Sequence, residues 1–328
     1  MRYSLYFYLI AACSLFLVSC VSTPKPPEVP IVIANATLDD LQDRAVELQH
    51  RRQLRVTEVW HRLTSANASF CGGSVKGSLG IGLGYSALYD KPFQKSYQRL
   101  FGVGAVPQII YLQPDGPADK AGLKKGDLIV GVEASLLASQ SDENIDSWVK
   151  DILLPALNKK KQVTLTVKNQ QGVRSEIIVY PEPTCRQPIS LYTVNTISAA
   201  EVDNLRVYIT TGMLRFLQND DQLAWILGHE LAHITLHSQG STKTSEHLAD
   251  YVGSYFTARA GYDPDKIIDF WQRWAAEDPP TIALEGYKTH PSIAIRIAKI
   301  RAANKEITEK MIQNKDLTPN LHKDSGLL

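Results

Sequence analysis

Two histidines and a glutamate have the residue types and spacing for metal chemistry. They lie within residues 228–233, which read Gly-His-Glu-Leu-Ala-His. His229 and His233 are four residues apart, so on a helix both imidazoles would point from one face toward the same ion. Glu230 would then lie beside that ion and could take a proton from a water molecule. This spacing indicates a site for one Zn²⁺ per chain with Glu230 as general base, although a buried helix that carries two histidines without a metal has the same pattern.

A third ligand is needed, because catalytic zinc usually takes three protein ligands and leaves a fourth position for water. Glu246 begins a second amphipathic segment, and Asp250 follows one helical turn later. Glu246 could ligate while Asp250 hydrogen-bonds the second nitrogen of a ligand histidine and so fixes its tautomer. His237 lies about 80° round the first helix from His229 and is expected at its polar end.

These motifs, taken in order, resemble the M48 family of zinc metallopeptidases. Further matching segments are Ile-Thr-Thr-Gly-Met-Leu at 209–214, Ala-Gly-Tyr-Asp-Pro at 260–264 and His-Pro at 290–291. The resemblance covers roughly residues 189–305. It implies a mainly helical zincin-type, gluzincin-like peptidase domain with a small sheet, which would act on polypeptide substrates.

The resemblance also assigns roles to single residues. It favours Glu246 as the third ligand over its neighbour His247, which would point about 100° away. It puts His290 over the metal, where it would stabilise the tetrahedral intermediate. His290 could instead occupy the fourth zinc position and gate activity, or be a turn histidine before a proline. Arg296 is expected to form a structural ion pair.

The first residues of the chain indicate a membrane anchor. An apolar run at 5–18 is too short to span a bilayer comfortably and ends in Leu-Val-Ser-Cys, which resembles a bacterial lipobox. The resemblance implies a lipoprotein signal peptide at 1–19, lipidation of Cys20 and an extended proline-rich tether at 20–36. An ordinary signal peptide or signal anchor is the alternative. Val21 is not the aspartate of an inner-membrane retention signal, which favours the outer membrane, facing the periplasm.

Of the four cysteines, Cys13 would leave with the signal peptide and Cys20 would be lipidated, so Cys71 and Cys185 remain for pairing. They bracket roughly 110 residues and could form a disulfide bond that joins the two ends of this segment, as an oxidising compartment allows. Two free buried thiols are the alternative.

The bracketed segment, residues 71–185, resembles a PDZ domain in the run Gly-Pro-Ala-Asp-Lys-Ala-Gly-Leu-Lys-Lys-Gly-Asp-Leu-Ile at 116–129. Such domains take a peptide as an added strand between one strand and one helix. Apolar residues on the expected strand and helix would line this groove, or belong to the core instead: Leu79, Ile81, Leu83, Val149, Ile152 and Leu153.

The remaining segments complete an α+β protein. Residues 37–70 are expected to give the peptidase domain an N-terminal helix with an apolar stripe, formed by Leu38, Leu41, Val46, Leu48 and Leu54. The peptidase domain then continues at 186–312, and a polar tail at 313–328 has little to bury. With 35 basic and 34 acidic residues the chain is nearly neutral, so nucleic acid is not an expected partner.

The sequence therefore predicts a zinc-dependent endopeptidase of the bacterial cell envelope. It would hydrolyse peptide bonds in envelope or misfolded proteins, with the PDZ-like segment selecting the substrate or docking to an envelope partner. An edge strand near 194–195 or 207–208 could carry the substrate. The alternative is a chaperone-like or binding lipoprotein that rarely uses its zinc site.

Overall fold

The computed structural model describes residues 30–137, 142–159, 161–202, 206–238, 246–282 and 292–321. It divides into two compact units, residues 1–40 and 41–328. In the first unit the described residues from Ile31 onward are helical and exposed to solvent. Among all described residues, no helix is long and apolar enough to cross a bilayer.

Two groups of elements make up the structure, one for each region expected from the sequence. The helices have these bounds: α1 Ile31–Ala66, α2 Lys91–Phe101, α3 Pro117–Lys120, α4 Asp142–Trp148, α5 Leu154–Leu157, α6 Thr211–Phe216, α7 Asp220–Ser238, α8 Glu246–Arg259, α9 Ile267–Glu277 and α10 Ile293–Ile312. A π-helical turn, Val149–Leu153, joins α4 to α5. The strands are β1 Val75–Ser78, β2 Ile81–Gly84, β3 Gln108–Leu112, β4 Leu128–Val132, β5 Ser135–Leu136, β6 Val163–Lys168, β7 Arg174–Val179, β8 Glu182–Cys185, β9 Ile189–Tyr192, β10 Ala199–Val202 and β11 Arg206–Thr210.

The peptidase-like region contains α6 to α10, the second half of α1 and a three-stranded sheet in the order β10-β11-β9. Helix α7 begins after Asn219, whose Oδ1 accepts a hydrogen bond from the amide of Gln222 at 2.9 Å and so caps the helix. Asp220 and Asp221 lie in the first turn, where the helix dipole favours their charge.

Helices α7 and α8 cross at a point where two glycines face each other. A Cβ on Gly253 would lie 2.8 Å from Cα of His229, and one on Gly228 would lie 3.1 Å from the carbonyl oxygen of Gly253. Any larger residue at 253 would push the helices apart. The crossing therefore requires glycine, and it brings the start of α8 against the histidines of α7.

The PDZ-like module is the region between the two cysteines, residues 71–185. Its main sheet runs β2-β3-β4-β6-β7, with β5 paired to β4, and the helical stretch from α4 to α5 packs over a separate apolar core. Helix α3 ends before Gly122, whose φ of +91° suits a helix terminus. Strands β6 and β7 form an antiparallel hairpin, and the helical stretch from α4 to α5 spans 142–157.

A two-stranded ribbon connects this module to the peptidase-like region. Strands β1 and β8 pair antiparallel, with Val75 opposite Cys185, and the predicted disulfide Cys71–Cys185 closes the base of the ribbon. Both sulfurs are buried in the peptidase-like core. The disulfide prediction is thus confirmed, and the module is fixed at both ends.

Helix α1 differs from the expected N-terminal helix in its start and its contacts. It begins at Ile31, inside the segment expected to be an extended tether. The predicted apolar stripe is correct only in part, because Val46 is buried and Leu54 is half-buried, whereas Leu38, Leu41 and Leu48 are exposed. The helix buries its later turns instead, where Val56, Val59 and Leu63 enter the peptidase-like core.

The described part of the expected tail is held against the protein. The Lys310 ammonium donates to the carbonyl of Thr318 at 2.6 Å, and the Arg259 guanidinium donates to the carbonyl of Leu317 at 3.2 Å. Pro319 is buried and Leu321 contacts the core. These contacts show that the prediction of a loosely ordered tail is wrong up to residue 321. The polar composition of the tail gave no sign of them.

Candidate metal centre

Three side chains from α7 and α8 converge on one point. The Nε2 atoms of His229 and His233 are 3.1 Å apart. Oε2 of Glu246 lies 3.7 Å from the first of these nitrogens, and Oε1 lies 3.6 Å from the second. Within the described ranges, no other group of three or more His, Cys, Asp or Glu side chains comes this close together.

These distances fit a tetrahedral zinc site. Ligand atoms about 2.1 Å from a tetrahedral ion are separated from each other by about 3.4 Å, close to the three observed separations. Two imidazole nitrogens and one carboxylate are also the donor types that zinc takes in catalytic sites. The residues present therefore fit a zinc ion. The third residue of the cluster is Glu246 and not its neighbour His247.

A buried carboxylate orients the first histidine from behind. Oδ1 of Asp250 lies 3.0 Å from Nδ1 of His229, and Asp250 is 1% exposed. An ionised carboxylate at this distance favours the tautomer with the proton on Nδ1, which leaves the Nε2 lone pair for a metal. Asp250 thus occupies the supporting position that its spacing from Glu246 indicated.

Arg296 of helix α10 holds that carboxylate in place. Its Nε and Nη2 donate to the two oxygens of Asp250 at 2.9 and 2.6 Å, and its Nη1 lies 3.4 Å from Oε2 of Glu246. Burial by itself raises the pKa of Asp250, but the charge of Arg296 and the contact with His229 outweigh it and lower the pKa below its usual value. The structural ion pair predicted for Arg296 is present.

The carboxyl group of Glu246 is also strongly acidic. Burial raises its pKa, but the hydrogen bond with His233 and the charges of His229 and Arg296 together lower it to about 2. Glu246 is therefore ionised at neutral pH, as a carboxylate ligand must be.

Glu230, the expected general base, lines a cavity beside the three ligands. The cavity has a volume of about 410 Å³ and is also lined by His229 and Glu246. Only 9% of Glu230 is exposed. The glutamate that follows the first histidine thus faces the same cavity as two of the three candidate ligands.

Other predicted residues lie elsewhere or outside the described structure. His290 and Cys20 are outside the described residues, and so is the side chain of His237. The pair 207–208 is in β11, the central strand of its sheet, so that edge-strand prediction was wrong. Residues 194–195 lie in the loop before β10, which is an edge strand next to the cavity.

The predicted peptide groove of the PDZ-like module is only partly present. Leu79, Val149 and Leu153 are at most 2% exposed in the module core, so for them the groove prediction was wrong. They were predicted from an apolar pattern, which core and groove residues share. Ile81 and Leu83 are half-buried on the edge strand β2, and Ile152 is 41% exposed on the helix.

Sequence reasoning missed the aromatic residues around the site. Trp225 stacks on His229, with ring centroids 5.6 Å apart, and Arg296 lies over the ring of Trp271 at 4.2 Å. Trp225 could have been found, because it precedes His229 by one helical turn on the same face. Trp271 and Trp274 are on α9, and no motif connects them with the site.

Comparison with known proteins supports the chemistry of this region. Residues 196–244 and 235–304 match peptidase family M48, a stretch that includes all three candidate ligands and Glu230. The mitochondrial metalloendopeptidase OMA1 of Bos taurus is 27% identical over 139 residues, covering 39% of this chain. The match spans 25% of the length of that relative.

Two solved structures are similar to part of the chain at low scores. A PDZ domain protein from Parabacteroides distasonis ATCC 8503 has 16% identity and a TM-score of 0.23, covering 34% of this chain and 21% of that one. An HtrA-type protease, AlgW, with a decapeptide has 18% identity and a TM-score of 0.22, covering 37% and 34%. Similarity at this level does not assign a fold to the module. The family match at 196–304 and the ligand geometry within it support a metalloendopeptidase.

Proposed function

We propose that this protein is a zinc-dependent endopeptidase of the bacterial cell envelope. It hydrolyses peptide bonds in envelope or misfolded proteins, it is held to the outer membrane by a lipid on Cys20, and its PDZ-like module selects the substrate. The observation that carries the proposal is the convergence of His229, His233 and Glu246, with Glu230 beside them.

The residues of the site have separate tasks in this reaction. A bound Zn²⁺ supplies Lewis-acid chemistry and makes water more acidic. Glu230 accepts the proton of the attacking water and then donates it to the nitrogen of the leaving amine. Asp250 and Arg296 hold the imidazole of His229 and the carboxylate of Glu246 in position. A protein that only binds polypeptides has no chemical need for a carboxylate at position 230.

An extended substrate has a suitable place to lie. Strand β10 pairs with β11 along one side, and within the described residues its other side has no partner strand. Ser198 and Ala199, at the start of this strand, line the cavity that Glu230 also lines. A polypeptide added to this edge would pass its backbone close to the metal ligands.

The envelope location and the selecting role of the module rest on the sequence and on one structural feature. The lipobox-like sequence before Cys20 supports lipidation. The disulfide at the base of the ribbon fixes both ends of the module on the peptidase-like core, which supports a restricted delivery of bound substrate. A docking role toward an envelope partner would use the same module.

Glu230→Gln tests the function most directly. The substitution keeps the shape of the side chain but removes the base, so zinc should stay bound while peptide hydrolysis falls about a hundredfold or more. Glu277→Gln, on the exposed face of α9, is the matched control and should retain full activity. His229→Ala should lose the zinc itself.

Two measurements decide the outcome: zinc per chain by elemental analysis, and cleavage of casein and a short fluorogenic peptide with and without chelator. Wild-type protein that carries no zinc at neutral pH contradicts the metal site. A Glu230→Gln variant that turns over at the wild-type rate shows that another residue moves the proton.

A further inference from the structure

Five buried side chains from four helices make a closed cycle of contacts through the first candidate ligand. His229 pairs with Asp250 at 3.0 Å, and Asp250 pairs with Arg296 at 2.6 Å. Arg296 lies over the ring of Trp271 at 4.2 Å, Trp271 meets Trp225 edge to face at 6.1 Å, and Trp225 stacks on His229 at 5.6 Å. None of the five residues is more than 8% exposed. The cycle thus has an ionic half, which supports the ligands directly, and an aromatic half, which supports the ionic one.

The ionic half does not by itself fix the orientation of the guanidinium. Nε and Nη2 of Arg296 donate to the two oxygens of Asp250 at 2.9 and 2.6 Å. A guanidinium held by two neighbouring donors can still tilt about the line that joins them. Such a tilt displaces the third nitrogen, Nη1, which lies 3.4 Å from Oε2 of Glu246. The contact with this ligand therefore depends on something that opposes the tilt.

The indole of Trp271 opposes it. A guanidinium over the face of a tryptophan ring is attracted by the ring electrons, most strongly where water is excluded, and its planar group stacks on the ring. At 4.2 Å from the ring centroid, Cζ of Arg296 is within this range. An aliphatic side chain at this position would fill space without the attraction.

Trp225 has the corresponding role on the histidine side. Its plane lies 23° from the imidazole of His229, so the two rings are stacked. Its indole nitrogen donates to Oγ of Ser254 at 3.0 Å, and that hydroxyl donates to the backbone carbonyl of Asp250 at 2.9 Å. The indole is thus fixed to the same turn of α8 that carries the carboxylate. An imidazole that turned away from Asp250 would also lose its stacking on Trp225.

We propose that Trp225 and Trp271 are positioning residues of the metal site, which hold His229 and Arg296 in the orientation that zinc binding requires and so set the affinity for zinc. An indole offers no lone pair to a metal, so both residues act through the groups that they contact. The inference rests on the proposed zinc-dependent function and deepens it.

Trp271→Leu and Trp271→Phe provide the central test, because both make the side chain smaller but only phenylalanine keeps an aromatic face for Arg296. The dissociation constant for Zn²⁺ is measured on zinc-free full-length protein by competition with a chelator. We expect it to rise about tenfold in Trp271→Leu and to stay within about threefold of the wild type in Trp271→Phe, since outer residues around a metal change its affinity by about 10–100-fold. An equal loss in both variants, or no loss in Trp271→Leu, overturns the proposal.

A second arginine over an aromatic ring supplies the matched control. Arg273 lies over the ring of Phe216 at 4.6 Å, and it donates to the carbonyl of Phe216 and to the side chain of Gln222 rather than to the metal site. Phe216→Leu removes this aromatic face and should leave the zinc dissociation constant unchanged, even where stability falls. A rise as large as that of Trp271→Leu would mean that general loosening of the core weakens zinc binding, which contradicts a positioning role.

Dependence on Arg296 separates positioning from packing. If Trp271 acts through the guanidinium, Trp271→Leu should change zinc affinity by less than about twofold in an Arg296→Met background, because the group that it orients is absent. A further tenfold loss in that background contradicts the proposal. Should the double variant not fold, the comparison of leucine with phenylalanine at position 271 still decides.

Trp225 is tested in the same way. Trp225→Leu removes the stacking on His229 and should raise the zinc dissociation constant about tenfold, whereas Trp225→Phe keeps a ring there and should raise it less. Wild-type affinity in Trp225→Leu refutes the role of this residue.

The wild-type protein separates this inference from the proposed function. Wild-type protein that binds no zinc refutes the metal site and the positioning role together. Zinc binding without peptide cleavage refutes the peptidase, while the affinities of the tryptophan variants still test the positioning role. Cleavage by the wild type, with unchanged zinc affinity in both leucine variants, refutes the positioning role alone.

Discussion

The peptidase-like region and the PDZ-like module both have an apolar core, but they differ in how many charged side chains they bury. Among the described residues of the module, the buried charged residue is Asp127. Its carboxylate accepts a hydrogen bond from the backbone amide of Lys124 and so stabilises a turn. In the peptidase-like region His229, Asp250 and Arg296 are all buried, and both His229 and Arg296 pair with the carboxylate of Asp250. Buried charge is costly, so its concentration at one place marks a functional site rather than a packing solution.

The two regions also differ in how they are held. The peptidase-like region depends on close helix crossings and a buried ion pair, while the module depends on its sheet and on the ribbon closed by a disulfide. Four changes test this difference, and the largest effect is expected at the junction of the two regions.

Replacing both Cys71 and Cys185 with serine removes the covalent link between the ends of the module. The two residues are separated by 114 positions. Releasing a loop of that length lowers the free energy of unfolding by about 4–5 kcal/mol on the chain-entropy account. Urea denaturation of the variant and of reduced wild-type protein measures the loss, which should be similar in both. Equal stability with and without the bond would mean that non-covalent contacts alone hold the junction.

Arg296→Met leaves Asp250 buried without its positive partner. Such a change lowers the free energy of unfolding by about 3–5 kcal/mol, because a buried charge then lacks compensation. Zinc affinity should fall as well, since Asp250 no longer has a fixed orientation. The control is Arg99→Met, which breaks the partly exposed pair between Arg99 and Asp43 and should change stability little. Similar losses in both variants would remove the distinction between the two kinds of ion pair.

Deleting residues 73–183 and joining the ends with a short linker separates the catalytic region from the module. If the module delivers substrate, cleavage of long or misfolded proteins should fall about a hundredfold, the range expected when effective concentration is lost. A short peptide should still be cut, because every described metal ligand lies outside the deletion. Paired rates on one long and one short substrate measure this. Should both rates fall together with zinc bound, the module is a structural part of the peptidase.

The smallest effect is expected at His61, which connects α1 to the ribbon. Its Nε2 lies 3.0 Å from Oγ of Ser78 and 3.4 Å from Oε1 of Glu182. Burial lowers the pKa of His61; the Glu182 carboxylate opposes this shift and the Lys76 ammonium adds to it. As pH falls, the unfolded chain therefore binds a proton at His61 before the folded protein does. The contribution of His61 to the free energy of unfolding is complete above pH 6.5 and is lost as pH falls below that value.

His61→Gln should accordingly weaken the dependence of stability on pH between 7 and 5. Denaturation midpoints at several pH values give the slope, with pH 8 as the reference at which His61 is neutral in both states. A slope identical to that of the wild type would show that the ribbon contact does not titrate with folding.

Local chemistry in this chain could be predicted because it depends on spacing within single elements. The four-residue interval of His229 and His233 places both rings on one helix face wherever that helix packs. Gly122 follows helix α3 and Gly172 lies between β6 and β7, and both have the positive φ that glycine favours at helix ends and turns. The pairing of Cys71 with Cys185 could be predicted because the other two cysteines, Cys13 and Cys20, lie in the segment that resembles a lipoprotein signal.

Tertiary packing decided what these local patterns leave open. Whether an apolar residue faces a groove or a core depends on which element covers it, so Leu79 and Val149 could not be assigned from periodicity. Three of the four large aromatic side chains that line the cavity, Phe270, Trp271 and Trp274, come from α9, which no motif connects with α7. The supporting ion pair joins Asp250 to a residue 46 positions away. Ligand types and spacing were thus determined by the sequence itself. The convergence of the ligands required the glycine crossing of α7 and α8, because only backbone contact brings Glu246 within reach of both histidines.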